Sequence, residues 1–451
     1  MWQRALAGGI ALLGIVLLMA HPILYERSSA FWWGGGLFAL VVCWALFTAN
    51  KVHFSKSLLW AVGPLLATAL LSLWLSEKWI NSALMELLAY FFVLWASIWI
   101  AQDRVALRTV ASALVLGCVL VCAYAFLQSR GLDPLPSGTP FDGRRIVATF
   151  ENPNYLGNFA ACVFPIVLAF FFAARRCYER LGVGAAVVLS YGACILAGSR
   201  GAWLAGVVGA TVVLLGVYTG VRRGEIRLRW SSIAALLLAM MATTYAATRD
   251  PIIANAHGKI SAGQRLFSAL YLFAPQTKAQ GDSIATTATS VQVGDVQVHD
   301  TTINHRYFIW QVAWAMVRDQ PMTGVGYGEF AAHFPRYRDG MRDEEWYASL
   351  ISSQQGENTR YAHNEYLHVW AECGVLGLLA FTWFIGRVGW TLMGCLRRGA
   401  SLYAWGLIAG LGVMLVHSLV SYPLHLPLNG LMFWVCAGIA LGQGEEGPLK
   451  G

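Results

Sequence analysis

His363, Asn364 and Glu365 stand side by side near the start of "RYAHNEYLHVWAECGVLGLLAF" (360–381), a stretch that soon becomes an apolar, glycine-spaced helix. A histidine, with an ordinary pKa of about 6.5, can accept a proton near neutral pH. His363 is therefore a candidate general base, and Asn364 and Glu365 are candidates to orient it or a substrate hydroxyl. The plain alternative is an interfacial histidine bonded to loop backbone. On a helix Tyr361, Glu365, His368 and Glu372 share one stripe, while His363 points elsewhere. Either His363 precedes the helix or His368 is the working histidine. Glu372, about two turns into the apolar segment, must face protein or a cavity rather than lipid.

Two arginines stand in unusual settings. Arg200 in "GSRGAW" (198–203) is bracketed by glycines that would let an anion approach closely; otherwise it snorkels to headgroup phosphates. Arg306 in "NHRYFIW" (304–310) follows His305 and either serves a ligand or pairs with a loop carboxylate such as Asp300. The stretch "RRIVATFENPNYLG" (144–157) adds Arg145, Asn152 and Asn154 as candidate substrate-binding residues. Asn152 and Asn154 around Pro153 also suit an N-cap and turn that start a helix.

The elements that must hold these groups follow from composition. The 451 residues are 57% hydrophobic and 12% charged, with mean hydropathy +0.54, against about a quarter charged in a soluble domain. Apolar runs of about 17 to 22 residues, enough to span the hydrocarbon core, occur near 5–22, 31–49, 57–75, 82–101, 105–127, 154–174, 182–198, 201–219, 231–247, 367–386, 401–420 and 426–443. That predicts an all-α polytopic membrane protein of about twelve helices. Nineteen Trp and seventeen Tyr suit interfacial anchoring. The first run resembles a signal peptide but is long and lacks a clear cleavage site, so it is expected to stay as a helix.

Lys51 and Lys56, Arg104 and Arg108, Arg175, Arg176 and Arg180, then Arg222, Arg223, Arg227 and Arg229, and finally Arg397 and Arg398 fall in alternate loops. The positive-inside rule then puts both termini in the cytoplasm. The net charge of +8 reflects that orientation, and no soluble domain is large enough to carry a nucleic-acid footprint. None of the nine cysteines lies in the long outer loop, so no disulfide is expected there, and no Cys or His spacing suggests a metal.

Two outer segments exceed a short connection: about 128–153 and about 248–366. Within the second, 276–300 is polar and poor in bulky residues and reads as mobile. "INHRYFIWQVAWAMVRDQP" (303–321) predicts a helix packed on the bundle or lying in the interface, and "TGVGYGEF" a glycine-rich turn. The expected division is 1–247 as helices one to nine, 248–366 as the large loop with short helices, and 367–451 as helices ten to twelve. On this topology the clusters at 144–157, 198–203, 304–310, 361–367 and 417–430 share one membrane face, which suggests a site at headgroup level.

In this order "TFENPNYLG", "GSRGAW", "HRYFIWQVAWAMVRDQPMTGVGYGEF" and "AHNEYLHVWAECGVLGLLAF" resemble the bacterial O-antigen ligase and polymerase superfamily, from about 145 to 443. The resemblance implies a GT-C type glycosyltransferase of the bacterial inner membrane with its large loop in the periplasm. It implies no metal, no nucleotide sugar and no cofactor. The donor would be a glycan on undecaprenyl diphosphate. The acceptor would be a lipid A core sugar in a ligase, a second lipid-linked glycan in a polymerase, or a Ser/Thr hydroxyl in the protein-glycosylating branch. By the same resemblance His363 is the loop histidine and Arg200 and Arg306 hold the diphosphate, with His305 and His368 leaving the histidine roles open. Ligation to lipid A core is the first expectation and polymerisation the second. Protein glycosylation comes third, because no extra C-terminal region follows the twelfth helix. From another class the rival is a secondary transporter, which would place polar groups near the midplane on broken helices, often in inverted repeats.

Overall fold

The computed structural model describes residues 3–4, 7–10, 56–76, 81–133, 146–150, 152–249, 253–255, 258–260, 290–293, 296–299, 301–342, 359–399 and 401–446. The expected span near 31–49, most of that near 5–22, Arg145, Asp300 and most of 276–300 lie outside these residues. The chain is an all-α polytopic membrane protein, and the other ten expected spans are helices. They are α1 (Lys56–Leu75), α2 (Ser82–Ile100), α3 (Arg104–Ser129), α4 (Pro153–Ala173), α5 (Cys177–Ala197), α6 (Arg200–Arg222) and α7 (Trp230–Arg249). After α8 (Thr301–Asp319) and α9 (Phe330–Asp339) come α10 (Glu365–Arg397), α11 (Leu402–His417) and α12 (Pro427–Glu446). Eight of the described helices are long and apolar enough to cross a membrane, and α11 is apolar but shorter. Between α7 and α8 lie two antiparallel hairpins, Ile253–Asn255 with Gly258–Ile260 and Ser290–Val293 with Val296–His299.

Short polar side chains start four of the helices, by accepting backbone N–H groups that the first turn leaves free. Asn81 accepts from Leu84, Asp103 from Val105 and Ala106, Asn152 from Asn154, and Asn364 from Leu367. Pro153 follows Asn152 as the first residue of α4, where a missing N–H costs nothing.

The core is built around α4, which is buried along most of its length and packs against α5, α6 and α11. Lipid offers no hydrophobic gain for helix association, so close approach at small residues supplies the packing energy. Gly406 and Gly410 of α11 lie against Ala169 and Ile166, and Gly209 of α6 against Pro165 and Val413. Gly438 and Gly442 of α12 fit against Leu94, Ser97 and Ile98 of α2. A smaller core, with Phe308, Ile309, Val312, Met316, Phe330 and Phe334, joins α8 and α9 to the first turns of α10 through Ala362 and Ala371. The apolar face of 303–321 thus packs on the bundle.

α10 is broken at Gly374 (φ 65°, ψ −169°). The glycine-rich segment after α8 crosses at the break. Val325 and Gly326 donate to the carbonyls of Ala371 and Glu372, and Val375 donates to that of Pro321. Ser72 of α1 adds hydrogen bonds to the Thr323 and Glu372 carbonyls. Backbone groups freed by a broken helix inside a bundle must be satisfied by protein, and these contacts do so. Two backbones meet so closely only where neither has a Cβ: one added at Gly374 would lie 2.1 Å from the Met322 carbonyl carbon, and one at Gly324 2.2 Å from that of Glu372.

Candidate active site

His363 precedes α10, as one of the two alternatives required, and Asn364 is the N-cap, its Oδ1 3.0 Å from the Leu367 nitrogen. His363 itself has φ 53°, the left-handed region that L-residues other than glycine seldom occupy. Such conformations persist only where neighbours hold them, and they concentrate at functional sites. Here the turn is tied on both sides. The Ala362 N–H donates to His368 Nδ1 at 3.3 Å, and the Glu365 N–H donates to the Ser418 carbonyl at 2.9 Å. The buried Glu365 carboxylate accepts from the Leu424 N–H at 2.7 Å and lies 2.9 Å from His425 Nδ1.

These ties draw the distant polar clusters to one end of the bundle. The His363 ring meets Tyr422 edge-on at 4.7 Å and lies 6.3 Å from the His305 ring, between centroids. Tyr361 stacks on Tyr422 at 4.5 Å, and the Tyr422 hydroxyl meets that of Tyr155 in the first turn of α4. A Cβ on Gly157 would come within 2.9 Å of Ser199, and one on Gly201 within 2.8 Å of Val420 and 3.1 Å of His417. The starts of α4, α6 and α10, the α8 histidine–arginine pair and the turn after α11 are therefore neighbours. His417 Nδ1 and Ser418 Oγ are buried beside this junction with no hydrogen-bond partner among the described residues.

The electrostatics fit a histidine that is neutral at rest. Burial, then the positive charge of Arg306, then His305 hold the His363 pKa down to about 3. Burial and Arg306 lower that of His305 as well. His363 thus keeps a free lone pair at every physiological pH. An anion bound at Arg306 would remove part of the repulsion and make the ring more basic. His425 behaves oppositely: burial disfavours its charge, but the adjoining Glu365, with Glu86 and Glu372 behind, outweighs burial and lifts its pKa to about 9.

Behind Tyr361 lies a cavity lined by Glu86, Glu365, Glu372, His368 and His425 among apolar side chains. Glu372 faces protein, as its place in the helix required, and its two oxygens accept from the Gly328 and Phe330 N–H groups. It ties the crossing loop and the start of α9 to α10, with His368 Nε2 3.4 Å from its Oε1.

Of the residues singled out from sequence, His363, Asn364 and Glu365 fall at this junction. Arg306 is close enough to act on His363, and Arg200 opens α6 beside the His417–Val420 turn. Asn152 and Asn154 lie at the cap of α4. The carboxylate of Glu365 is turned away from His363, toward Leu424 and His425. Sequence reasoning named Tyr361 only as part of a helical stripe, took Tyr422 and His425 only within the 417–430 cluster, and passed over Glu86. Glu86 had a signal, as a lone carboxylate within the apolar "SALMELLAYFF". Tyr422 and His425 had none beyond their place in "HSLVSYPLHLPLNG", because only the fold brings that turn to His363. Among the described residues no group of His, Cys, Asp or Glu is arranged to hold a metal ion.

The family model described as O-antigen ligase matches residues 185–382, from within α5 to the middle of α10. That span contains Arg200, Arg306 and His363. No curated protein matches the chain.

Proposed function

We propose that this chain, a member of the O-antigen ligase and polymerase superfamily by its residues 185–382, transfers a pre-assembled glycan from undecaprenyl diphosphate to an acceptor hydroxyl, with lipid A core as the acceptor. The observation that carries this reading is a neutral histidine in a left-handed turn, under the charge of Arg306 and at the junction where Arg200 starts α6. Arg200 and Arg306 hold the diphosphate, since guanidinium forks match phosphate oxygens and neutralise the charge that grows on the leaving group. His363 takes the proton of the acceptor hydroxyl as its oxygen bonds to the anomeric carbon. The bond from that carbon to the phosphate oxygen breaks, undecaprenyl diphosphate leaves, and the proton passes from His363 to water. Bound diphosphate offsets Arg306, so His363 gains basicity only when the donor is in place.

The reaction in this reading needs no metal, no nucleotide sugar and no cofactor, and it runs at the periplasmic face of the bacterial inner membrane with both termini in the cytoplasm. The division into a bundle over 1–247, a periplasmic segment over 248–366 and closing helices over 367–451 belongs to the same proposal. A transporter would use a broken helix to expose backbone groups to a substrate, whereas here the crossing loop and Ser72 take up those groups.

The test is glycan transfer in membranes with matched protein levels. Arg200→Ala and Arg306→Ala should each abolish or strongly reduce it, and Lys should restore it only in part, because an ammonium lacks the planar fork. Full activity of both Ala variants would remove the diphosphate assignment. An acceptor panel of lipid A core, a second lipid-linked glycan and a Ser/Thr peptide separates ligase from polymerase and from protein transferase.

A further inference from the structure

His368 is buried, five residues beyond His363, and the transfer mechanism does not use it. Its two nitrogens face different partners. Nδ1 lies 3.3 Å from the Ala362 nitrogen, which can only donate, so Nδ1 carries the lone pair and Nε2 carries the proton. Nε2 lies 3.4 Å from Glu372 Oε1. The Glu372 carboxylate accepts from the backbone of the crossing loop and of α9. The ring is confined by Phe330 at 4.8 Å, Tyr361 at 5.7 Å and His425 at 4.5 Å between centroids. A single side chain thus connects the peptide just before His363 to the segment that joins α8, with its Arg306, to α9.

We propose that His368 is a positioning residue: its Nδ1, with the ring proton on Nε2, accepts the Ala362 N–H and so holds the left-handed turn that aims His363. The proposal rests on the functional reading above. It assigns His368 no proton transfer, because Nδ1 is engaged with backbone and the ring is enclosed. A shift of about 1 Å in a catalytic group can cost about 10²-fold in rate, so loss of the Nδ1 tie to Ala362 should be read in kcat rather than in donor affinity.

Three substitutions separate the roles. Asn places an acceptor where Nδ1 stands, Gln places its amide nearer Nε2, and Ala supplies neither. In purified protein, His368→Ala and His368→Gln should lose about 10²-fold in kcat with undecaprenyl diphosphate affinity unchanged. His368→Asn should stay within a few-fold of the parent protein. The second readout needs no turnover: the rate at which diethyl pyrocarbonate modifies His363, read by peptide mass spectrometry. That rate should change several-fold in the Ala and Gln variants and stay at the parental value in the Asn variant. If the parent protein transfers no glycan to any acceptor, the functional reading fails, while the modification rates still decide on positioning. The proposal is overturned if His363 is modified at the parental rate in all three folded variants. It is also overturned if His368→Asn is as inactive as His368→Ala while binding donor normally, since His368 would then act in the chemistry itself.

Discussion

At the scale of single residues, ionisable groups at this junction are pushed in opposite directions. His363 is kept neutral by burial and Arg306, whereas His425 is kept charged by Glu365 in spite of burial. The second shift bears on stability. The folded pKa of His425, about 9, lies above the ordinary 6.5, so its contribution is complete below about pH 6.5 and is lost as pH rises through about 9. Thermal unfolding in detergent should therefore show a falling Tm between pH 6.5 and 9.5. In Glu365→Gln, where the pair carries no carboxylate, the fall over this window should be shallower. An equal slope in both proteins would show that the Glu365–His425 contact adds nothing to the fold. The sequence displayed both Glu365 and His425 but not their contact, which joins residues 60 positions apart.

At the scale of elements, the break in α10 decides how the site is assembled. Hydropathy alone gives one helix over 367–386 and a glycine-rich turn before it. Neither pattern states that the turn passes through the helix at Gly374, because that crossing depends on two backbones 50 residues apart having glycines in register. The α10 start was more legible: Asn364 is a good cap, and that alone favours placing His363 outside the helix. Gly374→Ala tests the crossing. The new Cβ would meet the Met322 carbonyl carbon at 2.1 Å in a backbone with φ 65°. Overpacking costs about 1 to 3 kcal/mol, and forcing a non-glycine residue into this backbone region, open essentially only to glycine, adds about 1 to 3 kcal/mol. Purified Gly374→Ala should lose several degrees in Tm or fail to accumulate, while Gly386→Ala, which meets nothing within 4 Å, should behave as the parent. A Gly374→Ala protein with parental Tm would mean that the loop and the helix do not cross this closely.

At the scale of the whole molecule, the ten expected spans within the described residues and their order were legible because each is a long apolar run, and the order of short motifs carried the resemblance to a family. The architecture of the site was not, since it depends on contacts between the ends of α4, α6, α8, α10 and α11 that no local pattern encodes. The alternation of basic loops predicts that reporter fusions after about 220 and 395 score cytoplasmic and those near 285 and 422 score external. A cytoplasmic score at 285 would put the His363 junction on the wrong face for a lipid-linked glycan.

The most direct test of the central claim is transfer by purified protein from undecaprenyl-diphosphate glycan to lipid A core, in EDTA and without nucleotide, comparing the parent with His363→Ala. The expected result is metal-independent transfer by the parent and a loss of about 10²- to 10⁴-fold in the variant, with donor binding retained because both arginines remain. A strict need for Mg²⁺ or a nucleotide sugar, or a fully active His363→Ala, would contradict the account.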